Sequence, residues 1–366
     1  MKIDYDYVVV GGGLVGMAIA YGLAKRGVRT LVLDGEDSSI RAARGNFGLV
    51  WVSSKGSKQI DYARWSLESS QLWPGFCQEL EDASGMKLGY EKPGGMMIAM
   101  SEEGLASSAA GLAKLHAQDN RLTYEVLDNA QLKERIPAIG ADVTGAVYSP
   151  HDGHVSPLYT LRGLFAAFEQ AGGVYKTDSR VDLIVPHEGG FRLTVGKQVI
   201  DAGKVVLCAG LGNRELAPMV GLRAPVVPLR GQILVTERVK RFLDYPTISV
   251  RQTAEGSLLL GESAEDVDMD DGVTPGVIAH IAQKAIAPFP MLKNVRVVRA
   301  WGSLRIMTPD SMPIYEESLT HPGAFVAMCH SGVTLAAAHC EKLVPWLMGA
   351  PRPSLLDYFY AKRFVI

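Results

Sequence analysis

Residues 7–34 restrict the fold of this chain more than any other part of it. Tyr7 to Val10 is a short apolar run with β-branched residues, Gly11, Gly12, Gly13, Leu14, Val15 and Gly16 follow, and Met17 to Arg26 has helical character. The spacing G-x-G-x-x-G thus falls at a strand-to-helix turn, the context in which it carries chemical meaning. Gly11 permits the tight turn, Gly13 lets the backbone approach a pyrophosphate, and Gly16 lets the helix pack closely on the strand. The helix start at Leu14 and Val15 offers unpaired N–H groups and a positive dipole end to phosphate. Gly27 then fits a helix C-cap and Val28 to Leu33 reads as a second strand. Asp34 closes that strand 23 residues past Gly11, where a carboxylate accepts hydrogen bonds from ribose hydroxyls and disfavours a 2′-phosphate. Both NAD and FAD satisfy this pattern. Its place near the start of the chain leans toward FAD, whose remaining parts later segments would bind.

At 366 residues the chain is long enough for about two domains. Lys and Arg total 37 against 39 Asp and Glu, a net charge of −2, so no bulk positive field exists to hold a nucleic acid. Cys77, Cys208, Cys329 and Cys340 are widely spaced, without the pairing that zinc or an iron–sulfur cluster needs, and we expect no metal. The opening MKIDYDY lacks the basic n-region of a secretion signal, and the apolar stretch 8–23 is too short and glycine-rich to span a membrane. A cytoplasmic location is expected.

Later segments favour a flavin over NAD. RAARGNFGLVW (41–51) is a basic, glycine-punctuated loop whose backbone and Arg44 would reach phosphates or a ribityl chain. Lys204 to Leu207 is a strand ending in Cys208, Ala209 and Gly210, small enough for close backbone approach. Ala324 to Met328 is another strand candidate, followed by a glycine turn and a long helix within 329–348. N–H groups near Gly332, Val333 and Thr334 would stabilise the negative charge that develops on the N1–C2=O edge of a reduced flavin.

Five stretches resemble the D-amino-acid-oxidase-like flavoproteins, which include glycine oxidase, sarcosine oxidase and amine dehydrogenases. They are VVVGGGLVGMAIAYGLAKRG (8–27), DGHVSPLYTLRGL (152–164), VVLCAG (205–210), PLRGQILVT (228–236) and WGSLRIMTPDSMPIY (301–315), with the HSGVTLA turn after them. The loop RGNFGLVWVSSKG (44–56) looks closer to one branch, the FAD-carrying β subunits of opine (octopine and nopaline) dehydrogenases, D-hydroxyproline dehydrogenase and hydrogen cyanide synthase. The resemblance implies an α/β plus α+β fold: a discontinuous Rossmann-type FAD-binding domain (1–75, 146–225 and 301–366) and a substrate domain (76–145 and 226–300) on a mostly antiparallel sheet. It adds Gly35, Asn46, Phe47, Gly48, Leu49 and Val181 to the cofactor contacts. It further implies α subunits and a small iron–sulfur γ subunit as partners, and leaves room for FMN shared at a subunit interface. In sarcosine oxidases a cysteine shortly before the T-P-D turn bonds to the flavin; the same spacing lands here on Ser303, so FAD is expected to be non-covalent.

Independently of the resemblance, residues 226–262 show short β-rich runs broken by Gly, Pro and charge, the pattern of an antiparallel sheet. Residues 102–135 look helical. Oxidising a C–H bond beside nitrogen requires the substrate carboxylate and amine to be held firmly, and a planar guanidinium is the natural anchor for the carboxylate. By resemblance that residue is Arg305, with an ion pair to Asp310 or a surface position as the ordinary alternative. Arg251 and Arg230 are further candidates for an anionic contact, and His154 for a hydrogen bond to substrate or flavin. The acidic stretch Glu262 to Asp271 would either receive a substrate guanidinium or be a solvated loop. Met96, Met97 and Met100 suggest adaptable core packing.

Overall fold

A computed structural model of the chain describes residues 3–35 and 41–364. Its largest sheet has eight strands. Six follow the path β16 (Ile314–Glu317), β17 (Ala324–Met328), β11 (Gln198–Leu207), β1 (Tyr5–Val10), β2 (Thr30–Leu33) and β8 (Val174–Lys176). A hairpin of β9 (Leu183–His187) and β10 (Gly190–Val195) pairs antiparallel with the first half of β11. β1 is central and parallel to both neighbours, Val8 pairing with Val205 on one side and Leu31 on the other. Both faces are apolar. Tyr7, Val9 and Val206 meet a core with helices Leu14–Ala24 and Ile60–Ser84, whereas Val8, Val10 and Leu207 meet Leu216, Val220 and the β9–β10 hairpin. Such two-sided burial explains why Val8–Val10 reads as an uninterrupted apolar run. The chain leaves β1 toward β2 while β11 lies on the opposite side. A crevice therefore opens at the carboxyl ends of β1 and β11, the switch point where such sheets bind ligands.

The second sheet is antiparallel, in the order β13 (Val250–Gln252), β14 (Ser257–Leu260), β12 (Val227–Arg238), β15 (Val297–Met307). The separate apolar runs at 227–235 belong to one long strand, and Arg305 lies inside β15 opposite Leu229. A three-stranded sheet, β4 (Gly95–Ala99), β6 (Gly145–Ser149) and β5 (Glu125–Asp128), shares a core with it: Met96, Leu127 and Ala146 pack with Leu234, Leu260 and Phe289. Met96 is fully buried there, in keeping with core packing. β3 (Leu49–Val50) and β7 (Gly153–His154) form a small ribbon beside the crevice.

Residues 102–135 are not one helical run. Helix Glu102–Gln118 stops at Asp119, whose carboxylate binds Arg64 and Arg121, and β5 intervenes before helix Asn129–Arg135. Asp128 and Gln131 form a capping box that starts this last helix. Helical composition was outweighed by edge pairing with β6.

Candidate active site

The carboxyl ends of β1, β11 and β17 face a cavity of about 1360 Å³, larger than the roughly 300–1,000 Å³ that suits a drug-sized ligand. Gly11 has φ +109°, and a Cβ there would stand 2.5 Å from the Cys208 carbonyl oxygen, so β1 and β11 can meet only at glycine. Gly16 packs against the Gly11 carbonyl, leaving no room for a methyl group. Gly13 caps helix Leu14–Ala24 in extended conformation, without a side-chain cap and without an acid in the first turn, so the helix start keeps its N–H groups for an anion. Gly11, Gly13, Leu14 and Val15 line the cavity, as do Cys208, Ala209 and Gly210 across from them. The late helix Gly332–Ala338 closes the same wall: Gly332, Val333 and Thr334 line it, and a methyl on Gly332 would touch Val15 at 3.4 Å. Segments from both ends of the described chain thus build one crevice.

At one end Asp34 is 2% exposed, and its Oδ2 accepts from Arg41 Nη2 (2.9 Å) and from the Tyr175 hydroxyl (3.2 Å). Gly35 and Val181 line the cavity beside it, with Gly35 against Arg180. The loop from Arg41 supplies Arg44, Asn46, Phe47 and Leu49 to the wall. Three expected residues stand behind that strip. Gly48, φ +94°, has no space for a side chain against the Val155 carbonyl. Arg251, fully enclosed, donates through Nε to the Phe47 carbonyl and stacks its guanidinium 5.9 Å from the Phe47 ring. His154 pairs with Leu49 across the ribbon and lies 4.0 Å from Glu91; burial, and then Arg251, push its pKa down. Neither Arg251 nor His154 lines the cavity, so the structure places both where they hold the Phe47–Leu49 strip.

The opposite end collects cations. Arg305 lines the cavity, and among the described residues its side chain makes one hydrogen bond, Nη1 to the Ser263 carbonyl at 2.6 Å. Among the described residues no carboxylate stands within ion-pair distance of it; Asp310 is bound instead by Arg363 at 2.7 and 3.0 Å. Its guanidinium lies over Gly231 of β12, where a methyl group would collide with it. A glycine inside an otherwise apolar strand often marks such a close approach. Burial lowers the Arg305 pKa. Lys55 and His330 line the same region, and burial together with Lys55 and Arg305 brings His330 down to about 3, so its imidazole is neutral. Trp51 Nε1 and Ser303 Oγ, both buried in residues that line the cavity, have no hydrogen-bond partner among the described residues.

The model of the DAO family, described as FAD dependent oxidoreductase, matches residues 6–346. The chain belongs to this family. It is 40% identical over 363 residues to an opine oxidase subunit of Rhizobium meliloti, and equally to its counterpart in Agrobacterium tumefaciens (strain Ach5), covering 99% of this chain and 98% of each relative. The crystal structure of glycine oxidase from Geobacillus kaustophilus has the same fold, with a TM-score of 0.91, 23% identity and 99% of both chains covered. FAD is the family's cofactor, and the crevice fits it. The uncapped helix start would hold the pyrophosphate, the buried Asp34 carboxylate would face the ribose, and Trp51 Nε1 and Ser303 Oγ, without partners among the described residues, would meet the rest of the group. Ser303, at the position expected to lack a flavin-bonding sulfur, lines the cavity. The two thiols that also line it, Cys208 and Cys329, are held protonated by burial, Cys329 at about 12.

Arg230 differs from expectation. It is buried, binds Glu265 at 2.9 Å and Asp270 at 2.6 Å, and donates to Thr274 Oγ1. The acidic stretch 262–271 therefore does receive a guanidinium, but that of Arg230 of the same chain. Arg41, Tyr175, Trp51, Lys55 and His330 were not singled out from the sequence. Nothing in their spacing separates them from loop and core residues, since tertiary packing alone brings them to the crevice. No described helix is long and apolar enough to cross a membrane.

Proposed function

We propose that this chain is the catalytic FAD-carrying subunit of a dehydrogenase that oxidises the C–N bond of a secondary amine or amino acid, most naturally an opine of the octopine or nopaline type. The observation that carries this reading is the Arg305 guanidinium: it faces the cavity and, among the described residues, has a single carbonyl partner and no carboxylate within ion-pair distance. A half-buried guanidinium with most of its donors unused is well suited to take a ligand carboxylate, and its planar fork fixes the carboxylate's orientation. The bound flavin supplies the hydride acceptor.

The protein's share is positioning. Arg305 grips the carboxylate, so that the adjacent C–H is held in one orientation. The positive charges of Arg305 and Lys55 disfavour a protonated amine beside them, which preserves the nitrogen lone pair. The apolar and backbone walls around Leu49, Ile233 and Leu304 exclude water from that end. The similarity to proteins named as one subunit of opine oxidase supports a heteromeric enzyme with electrons passing to a partner, and the four cysteines of this chain are separate free thiols. In this reading 1–75, 146–225 and 301–366 hold the cofactor, and 76–145 and 226–300 shape the substrate side.

Anaerobic bleaching of the flavin by octopine, nopaline, D-hydroxyproline, glycine and sarcosine tests the proposal. We expect bleaching by an opine, and Arg305→Met should raise the half-saturating concentration about 100-fold or more, the worth of a charge-assisted bidentate contact. An unchanged concentration dependence in the variant would remove Arg305 from the site. Rapid reoxidation of the isolated, reduced chain by air would instead make it an oxidase.

A further inference from the structure

Residues 229–233 of β12 alternate between two tasks. Leu229, Gly231 and Ile233 line the cavity, whereas Arg230 and Gln232, on the other face of the pleat, are buried and do not. Their side chains hold the segment that follows β14. Arg230 donates to both carboxylate oxygens of Glu265 (Nε 3.2 Å, Nη2 2.9 Å), to Asp270 (2.6 Å) and to Thr274 Oγ1 (2.7 Å). The Arg230 and Glu265 backbones also exchange N–H to carbonyl bonds of 2.9 and 3.0 Å. Gln232 gives its backbone N–H to Ser263 Oγ (2.8 Å) and its Nε2 to Glu265 (2.6 Å), and its Oε1 accepts from Thr274 N (3.0 Å). A methyl on Gly302, which pairs with Gln232, would stand 2.4 Å from the Asp271 and Gly272 carbonyl oxygens, so residues 263–274 form a strap that lies flush on this face. The start of the strap serves the cavity side: the Ser263 carbonyl is the group that accepts from Arg305 Nη1. The chain enters Ser263 through Glu262 at φ +79°, a left-handed conformation that a residue with a Cβ keeps only where its surroundings hold it.

We infer that Arg230, Gln232 and Glu265 are positioning residues for the carboxylate anchor. From the far face of β12 they fix Ser263, and the Ser263 carbonyl holds the Arg305 guanidinium over Gly231 with its remaining donors left for a ligand. This rests on the assignment of Arg305 as the carboxylate anchor. An unheld arginine side chain samples many rotamers, and the apparent affinity for a carboxylate falls by the fraction of them that present the fork correctly. Holding Arg305 by one donor removes most of that loss before the ligand arrives. The strap thereby couples an ion pair outside the cavity to recognition inside it.

Two analogues with sulfur in place of the amine nitrogen, which cannot form an imine, provide the probes: (methylthio)acetate, with a carboxylate, and 2-(methylthio)acetamide, its neutral counterpart. Each is titrated into the holoenzyme and followed by perturbation of the visible flavin spectrum. Wild type should bind the acid about 10- to 100-fold more tightly than the amide, as expected for a charge-assisted contact. Arg230→Met combined with Glu265→Met opens the clasp without leaving either charge of the pair unmatched. The preference should fall about tenfold through a weaker Kd for the acid, with the amide Kd within about twofold of wild type. Arg230→Lys, which keeps a cation against Glu265, should retain most of the preference, and Ser263→Ala, which loses only the Gln232 bond, should lower it about two- to fivefold. On an Arg305→Met background the clasp substitutions should change nothing further. An unchanged preference in the double variant and in Ser263→Ala would overturn the inference, and if the double variant yields no folded holoenzyme, Ser263→Ala alone decides. Equal weakening of acid and amide would also overturn it, because the strap would then support the cavity wall as a whole. Arg305→Met separates the two claims. If it leaves the preference for the acid intact, the Arg305 assignment fails; if it abolishes the preference and the strap variants do not lower it, only the positioning claim fails.

Discussion

Acidification should destabilise this protein through His339, and the size of the effect follows from its surroundings. The side chain is fully enclosed behind helix Gly332–Ala338. Trp65 Nε1 donates to the Tyr315 hydroxyl (3.3 Å), which leaves the Tyr315 proton for His339 Nε2 (2.7 Å). His339 Nδ1 has no partner among the described residues. Burial alone takes its pKa from 6.5 to about 3. The folded protein thus keeps a neutral imidazole where the unfolded chain would bind a proton. Its contribution is complete above pH 6.5 and falls as the pH drops toward 3, at about 1.4 kcal/mol per pH unit. From pH 7 to pH 5 the loss attributable to His339 is roughly 2 kcal/mol. Asp152, raised to about 6 by burial, titrates in the opposite sense: its ionisation costs stability as the pH climbs from 3.8 to 6, so acid relieves it. That relief is common to wild type and a His339→Gln variant, and the difference between the two isolates the histidine. Urea unfolding of the holoenzyme, read by the rise in flavin fluorescence on release, is measured at pH 7 and pH 5 for both proteins. The stability gap between them should close by roughly 2 kcal/mol over that range. Parallel losses in the two proteins would refute the reasoning, because His339 would then titrate alike in the folded and unfolded states.

Three further outcomes are expected. Gly11→Ala, forced into φ +109° with its methyl 2.5 Å from a backbone oxygen, should cost about 1–3 kcal/mol in strain and yield protein purified largely without flavin, checked by the ratio of 450 to 280 nm absorbance. Asp34→Ala should weaken FAD binding to the apoprotein by about 10- to 100-fold through loss of charge-assisted hydrogen bonds, measured by calorimetric titration. Ser303→Ala should leave the apoprotein as stable as wild type or up to about 1 kcal/mol more so, because it removes an unsatisfied hydroxyl, while binding of FAD or of (methylthio)acetate weakens about two- to tenfold.

The parts of the fold most legible in the sequence are those where a local rule and the tertiary context demand the same residue. At Gly11 and Gly16 a methyl group would strike backbone, so the glycine spacing reports the β1–β11 crossing directly. Ser156 and Pro157 start their helix as such residues do at any helix start, and Gly231 inside β12 marks the space that the Arg305 guanidinium occupies. Legibility fails where a segment's neighbour decides. Residues 125–128 carry helix-forming composition on either side but become β5 because β6 offers an edge. Lys55 and His330 reach the crevice by loops whose path depends on Asp152 and on the Tyr62–Ser331 hydrogen bond of 2.7 Å, neither of which a local pattern encodes.

The arginines of the antiparallel sheet show why site residues were harder to read than the fold. Arg230, Arg251 and Arg305 all lie within strands of that sheet, and their sequence surroundings differ little in kind. Their partners separate them. Arg230 is saturated by Glu265, Asp270 and Thr274, so it fixes the acidic loop and has nothing left for a ligand. Arg251 spends Nε on the Phe47 carbonyl and its face on the Phe47 ring, which secures the strip that walls the cavity. Arg305 retains most of its fork because the acid that acts on it, Glu262, is engaged elsewhere, by Lys284. A guanidinium becomes available for chemistry when the protein neutralises the acids around it rather than the guanidinium itself. That distribution of counter-charges exists only after folding. It also predicts where function would be lost without touching the cavity: releasing Glu262 by Lys284→Ala would free an acid that already acts on Arg305 to compete with substrate for the same fork.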